Sequence, residues 1–203
     1  MDEKWSRRLP WVFVALFAVS RIPGLLPPDF SAAYAFAFCA GAFFTGAAAW
    51  RLPLGAMAVT DVALNVFYYH IAPFGIYLAL NYAVYGLLIA LGKWFGRRAP
   101  FLKLLLGGLL GAALFYLVTN TLAWLQDPAY AKTVAGWIQA LTRGRLDVHP
   151  TTWQLFRNTI LSGGLFTALF AGAAKLAAAE SPAEKEAAGR ETAEEEAPVE
   201  AKA

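Results

Sequence analysis

The sequence predicts an all-α integral membrane protein, a six-transmembrane-helix bundle with one outer amphipathic helix between spans five and six. Three observations carry this reading. The 203 residues are 59% hydrophobic, with a mean hydropathy of +0.49, above the roughly 45–50% apolar content of soluble domains. Between Leu9 and Leu176 only four acids occur, Asp29, Asp61, Asp127 and Asp147, and only Asp61 lies inside an apolar run. A charge near the bilayer centre costs roughly 2.5–3.5 kcal/mol on insertion scales, so this pattern suits a chain dissolved in lipid. Finally, the apolar runs have the length to cross a bilayer.

Span one covers roughly Leu9 to Ile22 and is ended by Pro23, Pro27 and Pro28. It is short for a ~30 Å hydrocarbon core, which puts Arg21 at the far interface. Span two runs from about Phe30 to Trp50 with Ser31 as its N-cap. Span three follows from about Leu52 to Tyr69, and Pro73 opens span four, which ends near Gly92. A basic connector, Lys93, Arg97, Arg98 and Lys103, leads into span five from about Phe101 to Leu125. Before span six, about Trp153 to Leu176, the residues Tyr130, Val134, Trp137, Ile138 and Leu141 recur at helical spacing. They form the outer amphipathic helix, either an interfacial anchor or a lid over an outward-facing site.

Residues 1–178 form the membrane domain, and 179–203 read as an acidic, disordered cytoplasmic tail. The tail from Glu180 holds eight acids against three bases, so the formal +3 of the whole chain leaves about +8 on the rest. That excess flanks the apolar runs and reads as orientation rather than nucleic-acid binding. With the N-terminus inside, nine Lys and Arg lie on inner flanks and five on outer ones. The prediction is a multi-pass protein of the cell inner membrane with both termini cytoplasmic. Lys4 to Ser20 also resembles a signal peptide ending in Ala18-Val19-Ser20, although an uncleaved helix suits a chain with five further spans.

Depth then locates the polar groups. Arg21, Tyr77 with Asn81, Asn120 with Trp124, and Arg157 with Asn158 and Ser162 all fall in the outer halves of their spans. Polar groups in lipid must face one another or water. Arg21, Asn81, Asn120, Trp124, Arg157 and Asn158 are therefore the candidate binding residues for a small organic substrate. The arginines would hold anionic groups, the amides would fix orientation and Trp124 would stack on a flat ring. Asp61 is a possible cation or proton site, or else pairs with Asn65 or Asn81. The alternative is that these groups only fix helix packing, in a structural or assembly subunit with no ligand. Ala33, Ala37 and Gly41 form a small-residue stripe on span two that would dock a partner helix or serve internal packing.

Catalysis has little support. Cys39 is the single cysteine, and His70 and His149 are the two histidines, so neither a metal cage nor a nucleophilic triad is expected. No Gly-Lys-Ser follows Gly107-Gly108, so the chain carries no phosphate-binding loop. The expectation is no enzyme, no cofactor and no motor of its own.

Ser20-Arg21-Ile22-Pro23, Asp29-Phe30-Ser31-Ala32-Ala33 and Ala40-Gly41-Ala42-Phe43-Phe44 resemble an uncharacterised bacterial family of membrane transport proteins. Asp61, Tyr130-Ala131-Lys132-Thr133-Val134-Ala135-Gly136 and Phe156-Arg157-Asn158-Thr159-Ile160-Leu161 continue the match over about residues 20–170. That family is similar to the substrate-binding S components of energy-coupling factor (ECF) transporters. The resemblance implies a six-helix capture subunit that takes a ligand from outside. It also implies small-residue docking onto a coupling membrane subunit, with ATPases supplied in trans.

Overall fold

The computed structural model describes the backbone of residues 3–195 and side chains from Arg8 to Ala178. Within that range the regular structure is helical throughout: α1 Glu3–Ser20, α2 Ala33–Phe43, α3 Ala48–Ala63, α4 Ile76–Phe95, α5 Phe101–Gln126, α6 Val134–Thr142 and α7 Thr152–Glu195. A π-helical turn, Leu64–Tyr68, extends α3.

The centre of the bundle is α2. Every one of its residues is buried, and it touches α1, α3, α4, α5 and α7. Its sequence, rich in Ala and Phe with Gly41 and Cys39, has no charged face to turn outward, so it must be enclosed on all sides. The tightest crossing is with α4, where the backbones touch. A Cβ on Gly41 would overlap the Ile89 carbonyl, and one on Gly92 would overlap the Phe38 carbonyl. Ala33 and Ala37 are likewise buried, at 1% and 0% exposure. The stripe Ala33, Ala37 and Gly41 is therefore internal. It is filled by the chain's own helices and does not present a docking surface to a partner.

One end of the bundle core is aromatic. Phe13 stacks on Phe170 with centroids 4.2 Å apart, and Phe36 and Phe44 close around them. Outward, Leu102, Leu106 and Leu110 on α5 and Leu161, Leu165 and Leu169 on α7 form exposed rows at four-residue spacing. Such continuous apolar rows are solvated by lipid, not water. Three helices, α4, α5 and the Thr152–Ala178 part of α7, are long and apolar enough to cross a membrane, while the apolar stretches Arg8–Ser20 and Ala33–Phe43 are shorter. The protein is thus a multi-span helical membrane bundle.

The boundary of span two differs from expectation. Its helix stops at Phe43, and α3 starts at Ala48 rather than near Leu52. Gly46 lies between them at φ +57, a left-handed turn that breaks what reads as one apolar run to Trp50. Ser31, expected as the N-cap, precedes the Ala32 cap by one residue, and its hydroxyl still accepts the Ala33 N–H at 3.2 Å. The division between membrane domain and tail at 178/179 falls within α7, whose backbone continues as helix to Glu195. The Ala- and Glu-rich composition favours that continuation. Residues 196–203 of the tail lie outside the described residues.

The α2–α4 contact generates a first prediction. Gly41→Ala or Gly92→Ala forces two backbones apart and should lower stability by roughly 1–3 kcal/mol. Gly172→Ala, where an added Cβ meets nothing within 4 Å, should leave thermal stability in detergent unchanged. Equal melting temperatures for all three variants would refute the close crossing.

Candidate functional site

Connectors that the chain order places at one end of the bundle enclose a cavity of about 710 Å³. One wall is the α1–α2 connector, where Pro23, Pro27 and Pro28 exclude helix and Gly24 and Asp29 take left-handed backbone angles. Three helices hold this connector in place. At the end of α1, Ser20 accepts the Ala32 N–H at 3.2 Å. From α7, Asn158 donates to the Pro28 carbonyl at 2.9 Å. From α2, the Tyr34 hydroxyl donates to the Asp29 carbonyl at 3.3 Å.

The π-helical turn and α4 supply another wall. The wide turn, closed by the Tyr69 N–H on the Leu64 carbonyl at 2.8 Å, sets Leu64, Tyr68 and Tyr69 against the cavity. Such turns recur at functional sites. Tyr77, Asn81 and Tyr85 follow at four-residue intervals along one face of α4, and Phe115, Thr119 and Asn120 come from α5. Within this lining, Tyr34 and Tyr85 pack on Phe115, with centroids 4.8 and 5.0 Å away.

Electrostatically the site has two unequal parts. Arg21 faces the cavity and forms an ion pair with Asp61, whose second oxygen accepts the Tyr82 hydroxyl at 3.0 Å. Both Asp61 oxygens are therefore engaged, by Arg21 and Tyr82 rather than by Asn65 or Asn81. Asn65 instead donates to the Pro73 carbonyl at 3.4 Å. The Arg21 Nε is buried with no hydrogen-bond partner among the described residues. Asp29 also lines the cavity but forms no ion pair among the described residues. It is accessible, yet the protein packed behind it withholds water and raises its carboxyl pKa from the ordinary 3.8. In the α6–α7 connector, hydrogen bonds from Arg145 hold the exposed Asp147 below its usual range.

Of the expected binding residues, Arg21, Asn81 and Asn120 come together around this space. Asn81 makes no protein hydrogen bond among the described residues, whereas Asn120 donates back to the Tyr116 carbonyl at 2.9 Å. The other three lie elsewhere. Arg157 is exposed on the same outward row of α7 as Trp153 and Leu161, the arrangement of an interfacial anchor. Its neighbour Asn158 faces inward but bonds the connector instead of the cavity. Trp124 donates to the Ala131 carbonyl at 2.9 Å and borders a separate shallow groove with Lys132 and Trp137.

Helix α6 resolves one alternative. Thr133 caps α6, Trp137 donates to Thr121 of α5 at 2.9 Å, and the Tyr116 hydroxyl reaches the Leu141 and Thr152 carbonyls. These bonds fasten α6 to α5 and α7, and no α6 residue lines the cavity. It is an anchor in this structure, not a lid.

Asp29, Tyr34, Tyr85 and Phe115 were not expected from the sequence. Tyr85 had a visible signal, since it extends the Tyr77–Asn81 face by one more turn. Asp29 and Tyr34 had none, because their position depends on how the connector folds back.

The fold and site define a class: a multi-span helical membrane protein with a polar, tyrosine-rich cavity at one end of the bundle. Within it, the chain belongs to a family of unknown function (DUF6580), whose model matches residues 3–185. No curated protein and no solved structure matches it.

The Arg21–Asp61 pair is half-shielded by the helices, at 26% and 15% side-chain exposure. Asp61→Leu leaves the guanidinium without its counter-ion and should cost about 1–3 kcal/mol. The double variant Arg21→Met with Asp61→Leu should recover much of that loss in thermal denaturation. Strict additivity of the two single variants would show that the pair is not coupled.

Proposed function

We propose that this protein is the substrate-capture subunit of a membrane transporter, taking a small organic molecule into an outward-facing pocket. The observation that carries the proposal is the cavity of about 710 Å³, within the size range of small-molecule sites. Asn81, on its wall, makes no protein hydrogen bond among the described residues. In this reading the bundle crosses the inner membrane six times with both termini cytoplasmic, as the distribution of Lys and Arg supports. Every cavity wall then lies on the outer side.

Capture needs binding without chemistry, and we read the chain as a binder rather than an enzyme. Among the described residues no group of three metal-ligating side chains occurs. Energy would come from a coupling membrane subunit and ATPases supplied in trans, in keeping with the resemblance to ECF S components. Docking would use a face other than the α2 stripe. The rival reading, a structural or assembly subunit, draws support from Asn120, Asn158 and Trp124, which all bond to backbone carbonyls.

Two measurements separate these readings. Reporter fusions at Ala203 and near Val148 should report opposite sides of the membrane, and a tail on the outside would invert the pocket. Native mass spectrometry of the purified chain should show a retained small molecule. Asn81→Trp, which fills the cavity, should abolish it without lowering the melting temperature. An empty wild-type protein whose stability no small-molecule mixture alters would favour the assembly subunit.

A further inference from the structure

We propose that the cavity selects an organic cation, an ammonium-bearing molecule held between the Asp29 carboxylate and the tyrosine side chains around it. This inference rests on the capture reading and gives its substrate a chemical class.

Charge decides first. Two ionisable groups of full charge line the cavity, Arg21 and Asp29. The positive one is already neutralised, because Asp61 pairs with it and Tyr82 holds Asp61 in place. Asp29 has no such partner among the described residues, and Arg157, the other cation expected here, faces outward on α7. The uncompensated charge facing an entering ligand is therefore negative. An anion would meet Asp29 unopposed, beside a guanidinium whose charge Asp61 already balances.

The remaining lining fits the same ligand. Tyr34, Tyr68, Tyr69, Tyr77 and Tyr85 border the cavity together with Phe115. Aromatic rings attract cations through their quadrupole, and more strongly where water is partly excluded. Such rings also tolerate substituted ammonium groups that cannot donate hydrogen bonds. Asn81 and Thr119 supply neutral polar contacts for the rest of the molecule.

Three probes of similar shape and different charge test this with the full chain in detergent: benzyltrimethylammonium, benzyl alcohol and phenylacetate. Calorimetry should show the cation binding at least about tenfold more tightly than the other two. Asp29→Asn should remove that advantage and leave benzyl alcohol binding unchanged. Asparagine also tolerates the left-handed backbone at this position, φ +58, so the fold should persist. Tyr77→Leu, at a site 51% exposed, provides a second variant and should weaken the cation alone. Phenylacetate as the tightest ligand, or equal affinity for all three, overturns the cation inference while leaving the capture reading standing. Failure of every probe to bind also overturns the cation inference, while the capture reading stands or falls on the retained small molecule in native mass spectrometry.

Discussion

Everything in this bundle is arranged around a helix too short to fill it. α2 has 11 residues, so it is about 16 Å long at 1.5 Å per residue, roughly half of a hydrocarbon core. Buried on all sides and carrying no charge, it fixes the five helices that surround it. Past its N-terminus the longer helices α4 and α5 continue without α2 between them. The space beyond its N-terminus is closed by the proline-rich connector instead, and this is where the cavity lies. The backbone contact at Gly41 and Gly92 presses one face of α4 against α2. It thereby fixes which face of α4 turns Tyr77, Asn81 and Tyr85 toward that space. Packing at one end of the bundle and the site at the other are thus one problem in geometry.

Much of this architecture was legible in the sequence because lipid enforces simple rules. Apolar run lengths mark most of the helices, and the helical spacing of Val134, Trp137, Ile138 and Leu141 marks α6, which begins at Val134 and leaves Tyr130 in the connector before it. The inward or outward choice was less accessible. Arg157 and Asn158 are adjacent, so a rotation of about 100° separates their directions, and depth along the helix says nothing about that rotation. The exposed row Trp153, Leu161, Leu165 and Leu169 settles it, because Arg157 shares its spacing. Trp124 was misplaced for the same reason. The small residues Ala33, Ala37 and Gly41 on α2 predict a close helix contact, but such a pattern does not say whether the contacting helix comes from the same chain or from a docking partner.

Short-range breaks were the other blind spot. A single left-handed glycine at Gly46 ends a run that hydropathy carries smoothly to Trp50, and averaging over a window conceals such a residue. The ion pair was hidden differently. Arg21 and Asp61 are 40 positions apart, and each had a plausible nearer role, one as an interfacial anchor and the other as a partner for Asn65. Their meeting follows from α1 and α3 packing side by side, which no local pattern encodes.

Asp61 and Asp29 show how position assigns different work to the same carboxylate. Asp61 projects from α3, among helices that deliver Arg21 and Tyr82 to its two oxygens. Desolvating an acid is tolerable there because a counter-ion is supplied, and the group becomes part of the scaffold. Asp29 sits on a connector held from three sides through backbone carbonyls and a serine, contacts that position the peptide and leave the carboxylate free. Neighbouring protein lowers its hydration without supplying a counter-ion. An acid in that condition is stabilised by whatever positive charge enters the cavity, whereas Asp61 gains nothing from it. Arg21 enforces the contrast: its pairing with Asp61 occupies the basic side chain that lines the cavity with Asp29.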